Sequence, residues 1–408
     1  MPEVIVIGGG PAGMMAAGTA AKNGCRVTLV EKNEKLGKKL YITGKGRCNV
    51  TNASDCENII QNTVSNPYFL YSSLYTFTSE DTVSFFENMG IPLKTERGNR
   101  VFPASDKSSD IIKGLTRFLQ KNKVRILLNC KVTDIVIENG RVVAVQTEKD
   151  TLKADKVIIA CGGLSYPVTG SDGDGYRFAK AAGHSVTKLY PALVPLKVKE
   201  KWVASVMGLS LKNVAVTCKG EGKMLYEGFG EMLFTHFGVS GPLILTLSSI
   251  ITDKLGKSAE IYIDLKPALE RKKLDERLLR DFEKYKNKEI RNALGELLPR
   301  ALIPVIVSLS DIDETKRVNE ITREERNRIL NNIKQLRLTV TDTAGYNEAV
   351  VTKGGVGVED IDPSTMESKK VKGLYFAGEV IDVDAFTGGY NIQIALSTGH
   401  CAGIAAAE

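Results

Sequence analysis

The sequence predicts an α/β protein: a doubly wound, mostly parallel-sheet domain, split in the chain by an insertion. Three observations support this. The apolar run Val4-Ile5-Val6-Ile7 leads through a glycine-rich turn into a helix, then into a second apolar run that ends in an acid. Two further runs of buried-strand type, Lys156-Val157-Ile158-Ile159-Ala160 and Leu374-Tyr375-Phe376-Ala377, lie far apart in the chain. Between them, from about residue 191 to 344, the composition shifts. A chain of 408 residues suffices for two or three domains. A hydrophobic fraction of 43% excludes a disordered chain.

In the first unit, Gly8-Gly9-Gly10-Pro11-Ala12-Gly13 joins the opening strand to an Ala- and Met-rich helix that runs to Asn23. Pro11 suits the first helical turn and Gly24 the position after the last. Residues 26–30 form the second strand, which ends at Glu31. Residues 32–66 read as a long polar connection. Thr78-Ser79-Glu80-Asp81 reads as a capping box ahead of Val83, Phe86 and Met89. Ile111, Ile112, Leu115, Phe118 and Leu119 are spaced for another helix. Asn139-Gly140 between two apolar runs signals a hairpin. In the insertion, residues 210–218, 243–247, 259–265 and 336–343 read as strands, and 267–335 as charged helices, one of them capped at Thr322-Arg323-Glu324-Glu325. The chain closes in a helix after Tyr390.

The pattern Gly8-x-Gly10-x-x-Gly13 between strand and helix is a dinucleotide fingerprint. Gly8 allows the tight turn, Gly10 lets backbone approach a pyrophosphate, and Gly13 lets the helix pack on the strand. Free amides of the helix N-terminus then face the phosphates. Glu31, 18 residues beyond Gly13, stands where a carboxylate accepts hydrogen bonds from a ribose diol; the alternative is a solvated Glu on a glycine turn. The C-terminus decides between FAD and NAD. After Gly378 and Glu379 come Gly388-Gly389-Tyr390-Asn391 and a helix whose small or apolar residues form one flat stripe, from Ile392 through Ala395, Gly399 and Gly403. Such a helix can approach a sheet or cofactor closely and offer its first amides to a polar ring edge.

The fingerprint, the Ala160-Cys161-Gly162-Gly163 turn and the Phe376-Ala377-Gly378-Glu379 segment resemble flavoproteins of the glutathione-reductase-type FAD fold. More narrowly, the run from Thr43 to Asn52 (TGKGRCNVTN) resembles the hallmark loop of the BaiN/RdsA-like, aminoacetone oxidase-like bacterial family of FAD-dependent oxidoreductases. The runs 169–176 (TGSDGDGY), 234–242 (FTHFGVSGP) and 387–391 (TGGYN) carry the same resemblance, which covers the whole chain. Cys161, where the class more often has Thr, and Ala385, where relatives often have Gly, depart from the pattern. The resemblance implies a Rossmann-like FAD-binding domain of residues 1–190 and 345–408, an inserted β-barrel-like domain of residues 191–265 and 336–344, and a small helical subdomain of residues 266–335. It further implies that Glu31 holds the adenosine ribose, with Lys32 beside it. Lys38, Lys39 and Arg47 would line the phosphates or flavin, and the Val132 backbone would meet the adenine. Gly162, Gly378 and Glu379 would approach the cofactor, and Asn391 and Ile392 would cap the flavin pyrimidine end. Arg47 and His236 are the candidate catalytic groups, one for charge stabilisation and one for proton transfer. A surface Arg and a structural loop His are their alternatives.

Other chemistries are weaker. Lys39 and Gly46 break the spacing of a phosphate-binding GxxxxGK[ST] loop around Gly44-Lys45-Gly46. Cys48 beside a flavin could be redox-active, but its nearest cysteine in sequence is Cys56. Seven scattered cysteines without a CxxC pair, and three distant histidines, indicate free thiols in a reducing compartment and no metal site. His184 and His400 read as structural. The net charge of +7 is mild and interspersed, so there is no strong nucleic-acid signal. No apolar run is long enough for a membrane span, and the expected location is cytoplasmic.

The expectation is therefore an FAD-dependent oxidoreductase that moves a hydride or electrons to or from a small organic substrate, by amine oxidation or by reduction of an activated C=C bond. No second GxGxxG occurs in a βαβ setting, which leaves NAD(P)H as a transient electron donor only. The competing reading is a non-catalytic flavin-binding or nucleic-acid-associated protein with structural FAD. Oligomeric state is open.

Overall fold

The computed structural model describes residues 1–255 and 259–408. The chain forms two compact units, Met1–Ala192 with Gly345–Glu408, and Leu193–Ala344.

The first unit is built on a five-stranded, all-parallel sheet. Its strands are β1 (Glu3–Ile7), β2 (Arg26–Val30), β3 (Arg125–Leu127), β4 (Lys156–Ile159) and β5 (Leu374–Phe376), in the order β5-β4-β1-β2-β3. β1 is central and nearly dry, with Val4, Ile5 and Val6 buried, as a strand covered on both faces requires. After β1 the chain moves to one side through β2 and β3, then crosses to β4 on the other. That reversal places a crevice at the carboxyl end of β1, where open α/β sheets bind ligands. Helix α1 (Pro11–Lys22) leaves β1 with Pro11 in its first turn and ends at Asn23, with Gly24 at a φ of 95°. Helix α2 (Tyr390–Ala405) packs against α1, and nearly all of it is buried.

The hairpin signalled by Asn139-Gly140 joins Val132–Glu138 to Arg141–Thr147, with positive φ at both turn residues. Thr78 and Asp81 form the expected reciprocal cap of the helix Ser79–Asn88. Residues 32–66 are more ordered than a polar connection. They contain the helices Lys38–Ile42 and Cys56–Gln61 and the short strands Thr51–Asn52 and Thr63–Ser65, held by pairing to Arg100–Pro103 and Asp384–Ala385.

The second unit holds a closed six-stranded barrel. Around it run Leu196–Val198, Gly238–Ser240, Lys223–Phe234, Ser210–Gly220, Ala259–Asp264 and Leu336–Thr343, the last pairing back to the first. The helices Arg271–Lys284, Ile303–Leu309 and Arg323–Lys334 share one apolar cluster with the barrel strands. Thr322 and Glu325 cap the last of these reciprocally. Residues 243–247 are not a strand. They lie in the helix Pro242–Ile251, which starts with proline after Gly241 and buries Leu243, Ile244, Leu247 and Ile251. A buried helix segment and a buried strand are equally apolar, and the run was too short for periodicity to separate them.

His184 is 4% exposed, its Nε2 lies 2.7 Å from Ser368 Oγ, and its ring meets the edge of Phe376. Burial holds its pKa below the usual 6.5, against the opposing pull of Asp360. His400 is lowered in the same way, mainly by burial. Both imidazoles are thus neutral when folded and accept protons more readily when unfolded. The stability they contribute is present above pH 6.5 and is lost as pH falls toward their folded pKa. We expect the urea midpoint to drop between pH 7.5 and 5.5, and His184→Gln to reduce that drop; an identical pH slope in the variant would exclude His184 as a cause.

Candidate functional site

The glycine turn after β1 is sterically dictated. Gly8 has a φ of 109°, and a Cβ there would overlap Ala160 O; one on Gly13 would overlap Gly8 O. Gly10 differs, since a Cβ on it would meet no atom within 4 Å. The turn is therefore closed toward β4 and α1 and open at Gly10. The first helical bond runs from Met14 N–H to Gly10 O at 2.9 Å, so the amides of Ala12 and Gly13 precede it at the positive end of α1. An open glycine backed by helix amides is an anion cradle.

Glu31 is tied to that cradle. It is 9% exposed, and its Oε2 accepts from Gly9 N–H at 2.7 Å. Its Oε1 accepts from Asn33 N–H at 2.8 Å and from Asn33 Nδ2 at 2.7 Å. A carboxylate offers about four acceptor positions, and these donors take three. Cys130 N–H donates to Glu31 O at 3.0 Å, so the chain leaving β3 runs beside the acid. Buried Val132 opens the next strand two residues later.

The far end of the chain meets the same place. A Cβ on Gly399 of α2 would overlap Ala12 O, and one on Gly378 would come within 2.7 Å of Ala12 Cβ. Gly378 N–H donates to Thr398 Oγ1 at 3.0 Å. At the start of α2, Gly389 lies against Thr51 O, and Asn52 Nδ2 donates to Gly388 O at 2.9 Å. Buried Gln393 completes this junction. Its Oε1 accepts from Thr51 Oγ1 (2.6 Å) and Thr82 Oγ1 (2.8 Å), while its Nε2 donates to Phe77 O (3.0 Å) and Ser397 Oγ (2.9 Å). The loop of residues 43–52 is thereby fastened to the N-terminus of α2. Asn49 Oδ1 is buried in this loop with no hydrogen-bond partner among the described residues, close to where a Cβ on Gly389 would stand. The Asn391 side chain is turned back, accepting from Ala385 N–H (2.9 Å) and donating to Ala385 O (2.7 Å). Ile392 is half-buried against the core.

The four cations expected at the cofactor, Lys32 beside the ribose and Lys38, Lys39 and Arg47 at the phosphates or flavin, are each engaged by a carboxylate. Lys39 Nζ donates to Glu379 Oε2 at 2.6 Å and to Ser165 Oγ at 2.5 Å. Glu379 Oε1 accepts from Ser165 Oγ (2.8 Å) and Thr352 N–H (2.9 Å), across the turn of Gly162 and Gly163. Lys32 reaches Asp172 (2.5 Å) and Asp174 (2.9 Å). Burial alone would lower its pKa, but the two carboxylates together hold it above the usual lysine value. Lys38 pairs with Glu34 at 3.2 Å. Arg47 lies over the Phe102 ring and bonds Glu96 and Asp106. Asn33, Ser165, Thr352 and Gln393 were not singled out from the sequence. Only Ser165, two residues after the glycine pair, carried any local signal.

Burial pushes the Cys48 thiol up to about 12. A protonated, enclosed thiol is inert, which removes the redox dithiol reading. In the barrel unit, His236 is exposed on the turn closed by Thr235 N–H to Gly238 O, with its ring edge-on to Phe237. Among the described residues, no group of His, Cys, Asp and Glu could hold a metal ion, and no helix is long and apolar enough to cross a membrane.

The HI0933-like protein Rossmann domain family matches residues 2–405. The chain belongs to this HI0933-like family. Its fold is that of FAD-binding oxidoreductases with a Rossmann domain. Over 412 residues, spanning all of both chains, it is 33% identical to the 3-dehydro-bile acid Δ(4,6)-reductase of Clostridium scindens. It is 31% identical to the ribosomal RNA dihydrouridine synthase of Haemophilus influenzae, over 98% of this chain and 96% of the relative. Among solved structures, the 3-ketosteroid Δ1-dehydrogenase of Sterolibacterium denitrificans superposes with a TM-score of 0.54, covering all of both chains at 14% identity. At that identity the likeness concerns the fold. For this HI0933-like chain we expect iodoacetamide at pH 8 to leave Cys48 unmodified until the protein is unfolded, as read by peptide mass spectrometry; rapid native labelling would restore a reactive thiol.

Proposed function

We propose that the protein is an FAD-dependent reductase that saturates a C=C bond conjugated to a carbonyl group. The observation that carries this is the agreement in chemistry between two near-full-length relatives. One is named for reducing a Δ(4,6)-unsaturated 3-oxo bile acid, and the other for making dihydrouridine, which is uridine with a saturated ring C=C. The unsaturation is conjugated to a carbonyl in both.

The residues present fit FAD. The open face at Gly10 and the amides of Ala12 and Gly13 would hold the pyrophosphate. Glu31 has one acceptor position left for a ribose hydroxyl, and the chain entering Val132 would lie at the adenine. The orphan acceptor Asn49 Oδ1 and the first amides of α2 would complement a flavin pyrimidine edge, which carries an N–H between two carbonyls. Bound and reduced, FAD supplies the hydride. The chain's own work is then to orient the cofactor, to place positive helix-end charge beside its polar edge, and to deliver a proton to the substrate carbon next to the carbonyl. His236, exposed on its own barrel turn, is the group that the sequence offers for that proton transfer. Arg47 serves as the anchor of the 43–52 loop through Glu96 and Asp106.

Denatured protein should release FAD. Dithionite-reduced protein, mixed without oxygen with a 3-oxo-4-ene steroid or with a uridine-containing RNA, should recover oxidised flavin colour with one of them, and His236→Gln should slow that recovery without loss of FAD. Bleaching of oxidised protein by small amines, with no reoxidation by either unsaturated substrate, would overturn the reductase reading. Glu31→Arg should weaken FAD binding about tenfold or more, equivalent to about 1.4 kcal/mol; unchanged affinity would show that the carboxylate serves only Gly9 and Asn33.

A further inference from the structure

Between Arg47 and Lys94 the chain contains no lysine, arginine or histidine but carries five carboxylates, in a protein whose net charge is +7. Three tyrosines stand on the surface of this segment. Tyr68 is 77% exposed, Tyr71 37% and Tyr75 58%. Their rings form a ladder. Tyr68 and Tyr71 are parallel within 2° at 6.1 Å between centroids, and Tyr71 and Tyr75 within 13° at 6.2 Å. The ladder arises from local structure. The turns Pro67–Leu70 and Tyr71–Thr76 run on without a break, and spacings of three and four residues bring the rings to one face. Phe69, Leu70 and Leu74, between them in sequence, are buried in the core instead. Exposed Glu57 accepts from Tyr71 Oη at 3.2 Å and from Tyr75 Oη at 3.0 Å, which fixes both rings and lays negative charge along their edge.

We propose that this tyrosine ladder is a docking surface for an extended, basic protein segment rich in arginine or lysine. Aromatic faces are electron-rich and attract guanidinium and ammonium groups. The Glu57 carboxylate offers the matching salt bridge, and exposed Asp55, two residues before it, adds to the same sign of charge. The surface is a row and not a hollow, so it suits an extended chain that places successive cations along it. Bases of single-stranded RNA also stack on such rings, but their phosphates would meet carboxylates in a segment that supplies no cation of its own.

The test is fluorescence anisotropy of the full-length protein with labelled oligoarginine, oligoglutamate and oligouridylate, at low and high salt. Oligoarginine should bind and weaken as salt rises, and oligoglutamate should not bind. Replacing all three residues together, Tyr68→Ala, Tyr71→Ala and Tyr75→Ala, should weaken oligoarginine about tenfold or more. The corresponding triple Phe variant, which keeps the ring faces, should stay within about threefold. Glu57→Gln should weaken binding, and Glu148→Gln, at an exposed position in another part of the chain, should not. Tyr68→Ala alone, at the most exposed ring, reads the same effect should the triple Ala variant fail to fold. Oligoarginine binding unchanged in a folded Ala variant would overturn the proposal. Oligouridylate binding that the Ala variant abolishes would also overturn it, by making the ladder a base platform. So would a dimer, seen in sedimentation equilibrium, that the Ala variant dissolves, because the occupant would then be a second copy of this chain.

Discussion

The close approach of α1 and α2, helices from opposite ends of the chain, is the constraint on which the first unit depends. Gly399 lets the two backbones meet at Ala12, the residue that also contributes to the anion cradle. Any side chain at the contact would have to move the helix that aims the cradle's amides. From this seam the order spreads outward. Gln393, one turn into α2, satisfies all four of its hydrogen-bonding positions, three with partners from other segments and one with Ser397 of its own helix. A buried amide so fully paired specifies one arrangement, because any shift leaves polar groups unsatisfied in a dry interior. The helix that caps the cradle is thus also the post to which the 43–52 loop is fastened.

Local charge balance shapes what the cradle can recognise. Lys32, Lys38, Lys39 and Arg47 all have carboxylate partners, so attraction for a phosphate comes chiefly from oriented amides and the helix dipole. Such a site is selective by geometry, since a dipole's field falls off within a turn. It would hold a diphosphate presented at Gly10 without drawing in every polyanion. The same balance gives Glu379 a structural duty, because it joins Lys39, Ser165 and Thr352 around the Gly162-Gly163 turn.

What could be read in advance followed the range of the interactions. The turn at Gly8–Gly13, the acid at Glu31, the Asn139-Gly140 hairpin and the caps at Thr78 and Thr322 are set by residues a few positions apart, and their chemistry is visible in a short window. The helix Pro242–Ile251 is not legible as a helix because burial around it erases the polar face that marks one. Residues 32–66 looked like loop because their short elements have little propensity of their own and exist by pairing with strands near positions 100 and 384. The supporting polar residues were the least legible. Thr352 and Glu379 face each other only after the sheet has been assembled, and Gln393 sits on a helix whose small and apolar neighbours dominate its sequence pattern.

The split of the first unit has a consequence for the order in which the protein is made. Its sheet and its cradle need β5 and α2, which leave the ribosome only after the barrel unit, Leu193–Ala344, which is contiguous and emerges whole. At about 5–20 residues per second, the N-terminal strands wait on the order of ten seconds or more for the partners that complete them. During that interval β4 offers an unpaired apolar edge, and the surface of α1 that α2 will cover is bare. The barrel can fold in the meantime, whereas the cradle waits for α2, and the half-built sheet is the species that molecular chaperones must shelter.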